Sequence, residues 1–325
     1  MREITYVEAL REALWEEMKR DDTVFIMGEG IGKNGGAFKA TKGLYKEFGE
    51  KRIRETPITE SAIVGAGLGA ALTGMRPVCE IMFMDFIMVA ADQLFNQVPK
   101  IKYMTGGQAN VPLVIRTTIG AGGAAAAQHS QSLHAWACHI PGMKVVLPSN
   151  PYDAKGLLKT AVRDNNPVLF LEHKFLYQMK GQVPEEEYLL PFGKASIKTD
   201  GDDVTIVATS SLVNKAINVA KRLQKKNIGI EVIDPRTLVP YDRDTIASSV
   251  KKTGRLVVAD EGCRMCGVAA EIITEVIEDV FFYLKSPVKR VTAPDIPIPF
   301  APFLEKYCIP SEENIEAAVL EVLND

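Results

Sequence analysis

Apolar positions near the start of the chain recur at helical spacing. Val7, Leu10, Leu14 and Met18 fall three or four residues apart, with Ala13 beside Leu14, which predicts an amphipathic helix over 6–18. The pattern then changes to short apolar runs. Those at 23–27, 111–117, 144–147 and 168–172 read as buried strands, and the stretches 85–103 and 152–162 between them read as helices. A glycine-rich loop spans 28–36, and a run of small residues at 61–73 follows Thr56-Pro57-Ile58-Thr59-Glu60. Strands that alternate with helices predict an α/β fold with a parallel sheet covered on both faces.

Periodicity fails between Leu176 and Phe192, where Pro184, three glutamates and Pro191 crowd together. Such a stretch predicts a linker. It is placed at 181–195, between a first domain over 1–180 and a smaller one over 196–325. The alternation resumes beyond it, with strands at 204–209, 228–233, 256–260 and 288–292 and helices at 212–225, 242–251 and 267–280.

Composition narrows the function class. Hydrophobic residues make up 46% and charged residues 24%, the balance of a globular chain rather than a disordered one. The net charge of -3 and the scattered basic residues argue against nucleic-acid binding, which needs a concentrated basic surface. The cluster Lys221, Arg222, Lys225 and Lys226 falls late on a predicted helix, where cations oppose the negative helix end. Five cysteines are too few for a disulfide scaffold. Cys263-Arg264-Met265-Cys266 lacks the second pair that a zinc site needs. The longest apolar stretch, 81–91, is too short to span a bilayer. The N-terminus shows no signal pattern, so a cytoplasmic location is expected.

Several residues could carry chemistry. Glu60 opens a helix made almost wholly of Ser, Ala and Gly, including Gly65, Gly67 and Gly69. Each interior glycine costs about 1 kcal/mol relative to alanine, so this helix needs close approach to something else. Ordinary capping also explains an acid at a helix start. Gly65-Ala66-Gly67-Leu68-Gly69-Ala70 fits the dinucleotide fingerprint, which keeps an NAD-binding oxidoreductase in play. No full strand precedes it, and no suitable acid follows about 20 residues later. Phe86 ends an apolar stretch and could stack on a flat ring or simply pack. His129 lies in the polar run Gln128-His129-Ser130-Gln131, on a loop after a strand end where open α/β sheets bind ligands. His134 and His139 follow at spacing five, which is not one helical face and argues against a metal cluster. Asp164-Asn165-Asn166-Pro167 reads as a turn that could also hold a monovalent cation.

Taken together, five stretches resemble one family: the beta subunits of thiamine-diphosphate-dependent 2-oxo-acid and acetoin dehydrogenases. They are Thr56-Pro57-Ile58-Thr59-Glu60, Arg76-Pro77-Val78-Cys79-Glu80, Ala127-Gln128-His129-Ser130-Gln131, Asp153-Ala154-Lys155-Gly156-Leu157 and Arg163-Asp164-Asn165-Asn166-Pro167. The likeness continues in order to Pro297-Ile298-Pro299-Phe300. It implies a pyrimidine-binding parallel-sheet domain followed by a transketolase C-terminal-type domain. It also implies an α2β2 heterotetramer that joins a lipoyl-bearing acyltransferase core. In that family the alpha subunit holds the diphosphate and magnesium, and the beta subunit holds the aminopyrimidine. Only Asp200-Gly201-Asp202 resembles the diphosphate motif here, so inactivity without an alpha partner is expected.

The resemblance implies roles residue by residue. Glu60 would hydrogen-bond the pyrimidine nitrogen and favour its imino tautomer. Phe86 would pack on that ring, with Ile58 and Glu29 beside it. His129 would serve as acid or base toward substrate and lipoyl group. Leu113, Ala161, Val162, Asp164 and Asn166 match the family's potassium site. Tyr152-Asp153-Ala154-Lys155-Gly156-Leu157-Leu158, Glu172-His173-Lys174 and Pro191-Phe192-Gly193 look closest to acetoin dehydrogenases, with pyruvate and branched-chain 2-oxo acids as alternatives. A non-catalytic scaffold subunit is the remaining alternative.

Overall fold

The computed structural model describes residues 1–324. The chain forms two compact units, the first from Met1–Ile119 with Trp136–Phe192, the second from Gly120–Ala135 with the chain from Gly193 onward.

The first unit is built on six parallel strands in the order β6-β7-β5-β4-β2-β3. These are β2 (Val24–Glu29), β3 (Ile53–Thr56), β4 (Arg76–Phe83), β5 (Val114–Ile119), β6 (Lys144–Val146) and β7 (Val168–His173). Helices α1 (Tyr6–Arg20), α2 (Leu44–Phe48), α3 (Glu60–Leu72), α4 (Ile101–Met104) and α6 (Pro151–Arg163) accompany them. A short helix α5 (His134–Cys138) follows the loop after β5. The central strands are mostly buried because both sheet faces are covered, as parallel sheets require, while the edge strand β3 exposes Arg54 and Glu55.

Helix α1 starts where the sequence supplies a reciprocal cap. The Glu8 amide donates to Thr5 Oγ1 at 3.3 Å, and the Thr5 amide donates to Glu8 Oε2 at 2.7 Å. The Asn150 side chain caps α6 by accepting from the Asp153 amide at 2.9 Å, and Pro151 takes its first turn, where no amide donor is needed. The apolar faces of α1 and α6 meet in one core with β2, β5 and β7, built around Leu10, Leu14, Leu157 and Phe170. A charged seam runs beside this contact. Lys155 Nζ lies 2.6 Å from Glu16 and Lys159 Nζ lies 2.5 Å from the same carboxylate, while Arg163 reaches Glu17 at 2.7 Å.

Two departures from the sequence expectations occur in this unit. The stretch expected as one helix over 85–103 is a 3-10 turn (Met84–Ala90), a π-helical turn (Asp92–Gln97) and α4. Periodic burial of Ile87, Leu94 and Val98 survives, but Pro99 has no amide to bond the Phe95 carbonyl. That carbonyl accepts from Lys100 Nζ at 2.5 Å instead. Within the linker stretch, β8 (Lys180–Val183) pairs antiparallel with β1 (Arg2–Thr5). Tyr188 then stacks on Tyr152 with ring centroids 4.7 Å apart.

The second unit carries a five-stranded sheet in the order β14-β13-β10-β11-β9. Its strands are β9 (Ser196–Thr199), β10 (Val204–Ala208), β11 (Ile230–Asp234), β13 (Leu256–Cys263) and β14 (Lys289–Ala293); only β9 runs antiparallel to its neighbour. A further short strand, β12 (Thr237–Val239), precedes α8 (Arg243–Thr253). Helices α7 (Ser211–Gln224), α9 (Val268–Val280), α10 (Pro302–Cys308) and α11 (Glu312–Asn324) complete the unit. Its core gathers Ile206, Val232, Val257, Leu212, Val219 and Val319. The basic end of α7 is paired: Arg222 bonds Glu316 at 2.6 Å and Glu312 at 2.9 Å, both on α11.

Candidate active site

In parallel α/β sheets, ligands collect at the carboxyl ends of the strands. Glu29 ends β2, directly in register with Thr56 at the end of β3. Ile58 follows in the β3–α3 turn and is 72% exposed. Glu60 is the first residue of α3, after Thr59 in extended backbone that supplies no side-chain cap. Phe86 follows the end of β4, the other neighbour of β2, and meets Phe83 edge to face at 5.9 Å. Glu29, Ile58, Glu60 and Phe86 therefore stand at the carboxyl ends of three adjacent strands.

Their polar groups are unusually open. Among the described residues, the half-buried side chains of Glu29 and Glu60 make no hydrogen bond or ion pair. The buried Thr56 Oγ1 also lacks a partner. Buried polar atoms are normally satisfied, so an orphaned hydroxyl beside two open carboxylates marks a place for a ligand that donates and accepts hydrogen bonds. The first turn of α3 presents its positive dipole end there, a position that suits an acidic side chain.

One glycine of α3 has a direct structural cause, whereas Gly69 faces open space. A methyl group on Gly67 would lie 2.4 Å from Cys79 Sγ and 3.2 Å from Leu113 Cδ1, so α3 packs against the sheet without a side chain in between. Gly65, Gly67 and Ala70 sit in the interior of this helix and not in a strand-to-helix turn. That removes the dinucleotide-loop reading, because a helical interior offers no free amides to a pyrophosphate. Burial also pushes the Cys79 thiol up to about 12, making it an inert packing group.

Sequence reasoning missed a buried charge network beneath this edge. Arg116 on β5 grips Glu172 on β7 with two bonds, Nε to Oε1 at 2.7 Å and Nη2 to Oε2 at 2.8 Å, and reaches Glu80 on β4 at 2.8 Å. Tyr177 donates to Glu172 Oε2 at 2.6 Å. Burial alone would lower the guanidinium pKa, but Glu172 and Glu80 more than reverse it. Glu80 itself is raised, by burial first, with Arg116 opposing. The signal was legible: Glu80, Arg116 and Glu172 fall within three neighbouring strands that are otherwise mostly buried.

His129 belongs to the second unit, within Gly120–Ala135, and is half-buried. The buried hydroxyls of Ser130 and Ser132 beside it have no partner. Its loop is held by carboxylates of its own unit. The Ala121 amide donates to Glu261 Oε1 at 2.7 Å, and the amides of Gly122 and Ala124 donate to Glu305 at 2.7 and 2.8 Å. His134 Nε2 meets Asp260 Oδ1 at 2.9 Å, and Thr209 donates to the same oxygen at 2.6 Å. Burial would lower His134, but Asp260 outweighs it and raises the imidazole; Asp260 is held low by His134 against its own burial. His134 thus pairs with Asp260 and joins no metal-binding group among the described residues.

The oxygens of the expected cation site are already engaged. Arg76 Nη1 donates to the carbonyls of Val162 and Asp164 at 3.0 and 3.1 Å. The Asp164 and Val168 amides bond the Ala161 and Leu113 carbonyls at 3.3 and 2.9 Å. Asn166 accepts from Lys102 at 3.2 Å. A potassium ion there would use the second lone pairs of these carbonyls. Among the described residues, no group of three or more His, Cys, Asp or Glu side chains is arranged to hold a metal, and no helix is long and apolar enough to cross a membrane.

Comparison with known proteins adds an independent line. Residues 2–180 match the transketolase pyrimidine binding domain, and residues 193–315 match the transketolase C-terminal domain. The chain is 45% identical to the 2-oxoisovalerate dehydrogenase subunit beta of Bacillus subtilis, over 98% of each chain. It is 48% identical to the acetoin:2,6-dichlorophenolindophenol oxidoreductase subunit beta of Cupriavidus necator, covering 99% of this chain and 98% of that one. Identity is also 48% to the pyruvate dehydrogenase E1 component subunit beta of Rickettsia felis, over 98% of each. A solved split gene transketolase, an inactive beta4 tetramer, has the same fold with a TM-score of 0.80 at 24% identity, covering 99% of this chain and 98% of that one.

Proposed function

For a chain that belongs to the E1 beta-subunit family of thiamine-diphosphate-dependent 2-oxo-acid and acetoin dehydrogenases, we propose that Glu60 is the residue through which it activates the cofactor. The observation that carries this is the open, half-buried Glu60 carboxylate at the start of α3, beside the open Glu29 and the orphaned Thr56 hydroxyl. A pyrimidine ring nitrogen is a hydrogen-bond partner of the right kind for it. The bound cofactor supplies the carbanion chemistry. Glu60 holds or yields a proton at the ring nitrogen and so controls its tautomer. Phe86 would pack on the ring, with Ile58 and Glu29 beside it. His129 exchanges a proton with substrate or acyl acceptor.

The substrate proposed first is acetoin, cleaved with transfer of its acetyl group to lipoamide and release of acetaldehyde. Support comes from the stretches at Tyr152–Leu158, Glu172–Lys174 and Pro191–Gly193, which look closest to acetoin dehydrogenases. Overall identity does not separate the substrates, because acetoin, pyruvate and 2-oxoisovalerate relatives lie within a few per cent of one another. The working assembly is an α2β2 heterotetramer on a lipoyl-bearing acyltransferase core. The alpha subunit would hold diphosphate and magnesium, and the oxygens of Leu113, Ala161, Val162, Asp164 and Asn166 would hold potassium.

The test is reconstitution with the alpha partner. Glu60→Gln should retain assembly and cofactor binding yet lose about 100-fold or more in turnover. Unchanged turnover would mean a scaffold subunit. Assays of acetoin, pyruvate and 3-methyl-2-oxobutanoate then assign the substrate; turnover of pyruvate without acetoin would sink the acetoin proposal.

A further inference from the structure

The loop that carries His129 is conformationally expensive. Gly120 and Gly122 have φ of 103° and 122°, and Ala124 and Ala126 have φ of 51° and 60°. Alanine in the left-handed region costs about 1–2 kcal/mol, so a loop with two such residues needs external restraint to keep one shape. Glu305 supplies it from α10. Its carboxylate is buried, at 2% exposure, and each oxygen accepts one loop amide, from Gly122 and from Ala124. Glu261 takes the preceding amide, of Ala121, and Asp260 ties the far end through His134. The fastenings lie at 121–124 and at 134, so His129 sits midway along a loop fixed at both ends.

We propose that Glu305 is a positioning residue for His129: its carboxylate clamps the strained Gly122–Ala124 backbone and thereby fixes where the imidazole stands. The inference rests on the acyl-transfer role proposed for His129. Glu305 touches no reacting atom, and a bidentate grip on two amides is geometry that neither Gln nor Ala can reproduce. Gln offers one acceptor and sets an NH2 donor against the other amide.

The experiment compares Glu305→Gln, Glu305→Ala, His129→Ala and the Glu305→Ala/His129→Ala double variant in the reconstituted complex. Two activities are read: substrate-dependent reduction of 2,6-dichlorophenolindophenol, which bypasses acyl transfer, and acylation of lipoamide. Thiamine diphosphate affinity and hydrogen exchange of the 120–135 peptide are measured alongside. A displacement of about 1 Å can cost about 100-fold in rate. Glu305→Ala should therefore cut lipoamide acylation about ten- to hundredfold while dye reduction and cofactor affinity hold. Glu305→Gln should fall between. Exchange of the loop peptide should rise in both Glu305 variants and stay unchanged in His129→Ala. The double variant should be no worse than His129→Ala alone.

If His129→Ala acylates lipoamide normally, the role given to His129 fails first. If His129→Ala is impaired but both Glu305 variants acylate normally, the positioning role is overturned. Additive losses in the double variant would overturn it as well, and so would equal losses of dye reduction and acylation in Glu305→Gln. Should Glu305→Ala fail to assemble, Glu305→Gln decides through the same two activities and the exchange of the loop peptide.

Discussion

Replacing Arg116 with methionine should unmask the cost of two carboxylates buried without their counter-charge. The side chains of Arg116, Glu172 and Glu80 are 2%, 1% and 12% exposed, so water can replace little of what the guanidinium provides. Breaking a buried ion pair by removing one partner costs about 3–5 kcal/mol, whereas neutralising all partners is often harmless. Against a total stability of about 5–15 kcal/mol for a domain, that is a severe loss. The effect should depend on pH in a defined direction. Glu80 is already raised by burial, with Arg116 pulling it down. Without the guanidinium its folded pKa rises further above the unfolded value of about 4.3, so the folded state binds more protons and stability falls as pH rises through that window. Urea denaturation followed by tryptophan fluorescence at pH 5.5 and pH 8 reads both effects. The deficit of Arg116→Met should be larger at pH 8. The triple variant Glu80→Gln/Arg116→Met/Glu172→Gln should recover most of it. A deficit below about 1 kcal/mol, or one equal at both pH values, would refute the desolvation account, since it is what an exposed ion pair would give.

Other outcomes follow from the same physics. Gly67→Ala should destabilise by about 1–3 kcal/mol, net of its better helix propensity, and Cys79→Ala should relieve it; a neutral single variant would mean that α3 can shift off β4. Asp260→Asn should destabilise most between about pH 4 and pH 6.5. The raised His134 contributes stability below about pH 6.5 that fades as pH rises through its folded pKa, and the depressed Asp260 contributes stability above about pH 3.9 that fades as pH falls through its own. Denaturation midpoints of wild type and variant should therefore converge toward both pH extremes. Alkylation with iodoacetamide followed by peptide mapping should modify the exposed Cys263 and Cys266 well before the buried Cys79.

How much was visible in the sequence depended on whether the deciding interaction was local. Helices α1, α6 and α7 were legible because their apolar stripes lie within each segment, and the strand–helix alternation gave the parallel sheets. The pairing of Arg2–Thr5 with Lys180–Val183 was not, since these strands are short and polar and are specified only by each other. The 3-10 and π turns after β4 escaped because spacing of apolar residues survives a change of helix type. At the site, Glu60 stood out through its glycine-rich helix and Phe86 as an aromatic ending an apolar stretch, while Glu29 and Ile58 entered only by resemblance. Glu305 gave no signal at all. It lies more than 180 positions from the amides it holds, among the exposed aromatics Phe303 and Tyr307.

The seam between α1 and α6 makes the protein report on its own opening. Lys155 and Lys159 have side chains only 0% and 2% exposed, each engaged by glutamates of α1. Acylating reagents need a free, accessible amine, so in the closed chain both lysines are silent. They become reactive only when α1 lifts away, whether in local breathing or in global unfolding. The rate at which a mild acylating agent marks these two positions, set against solvent-facing lysines such as Lys180, is thus an intrinsic stopwatch for detachment of the N-terminal helix. It needs no added probe, and it would show whether an alpha partner slows that motion.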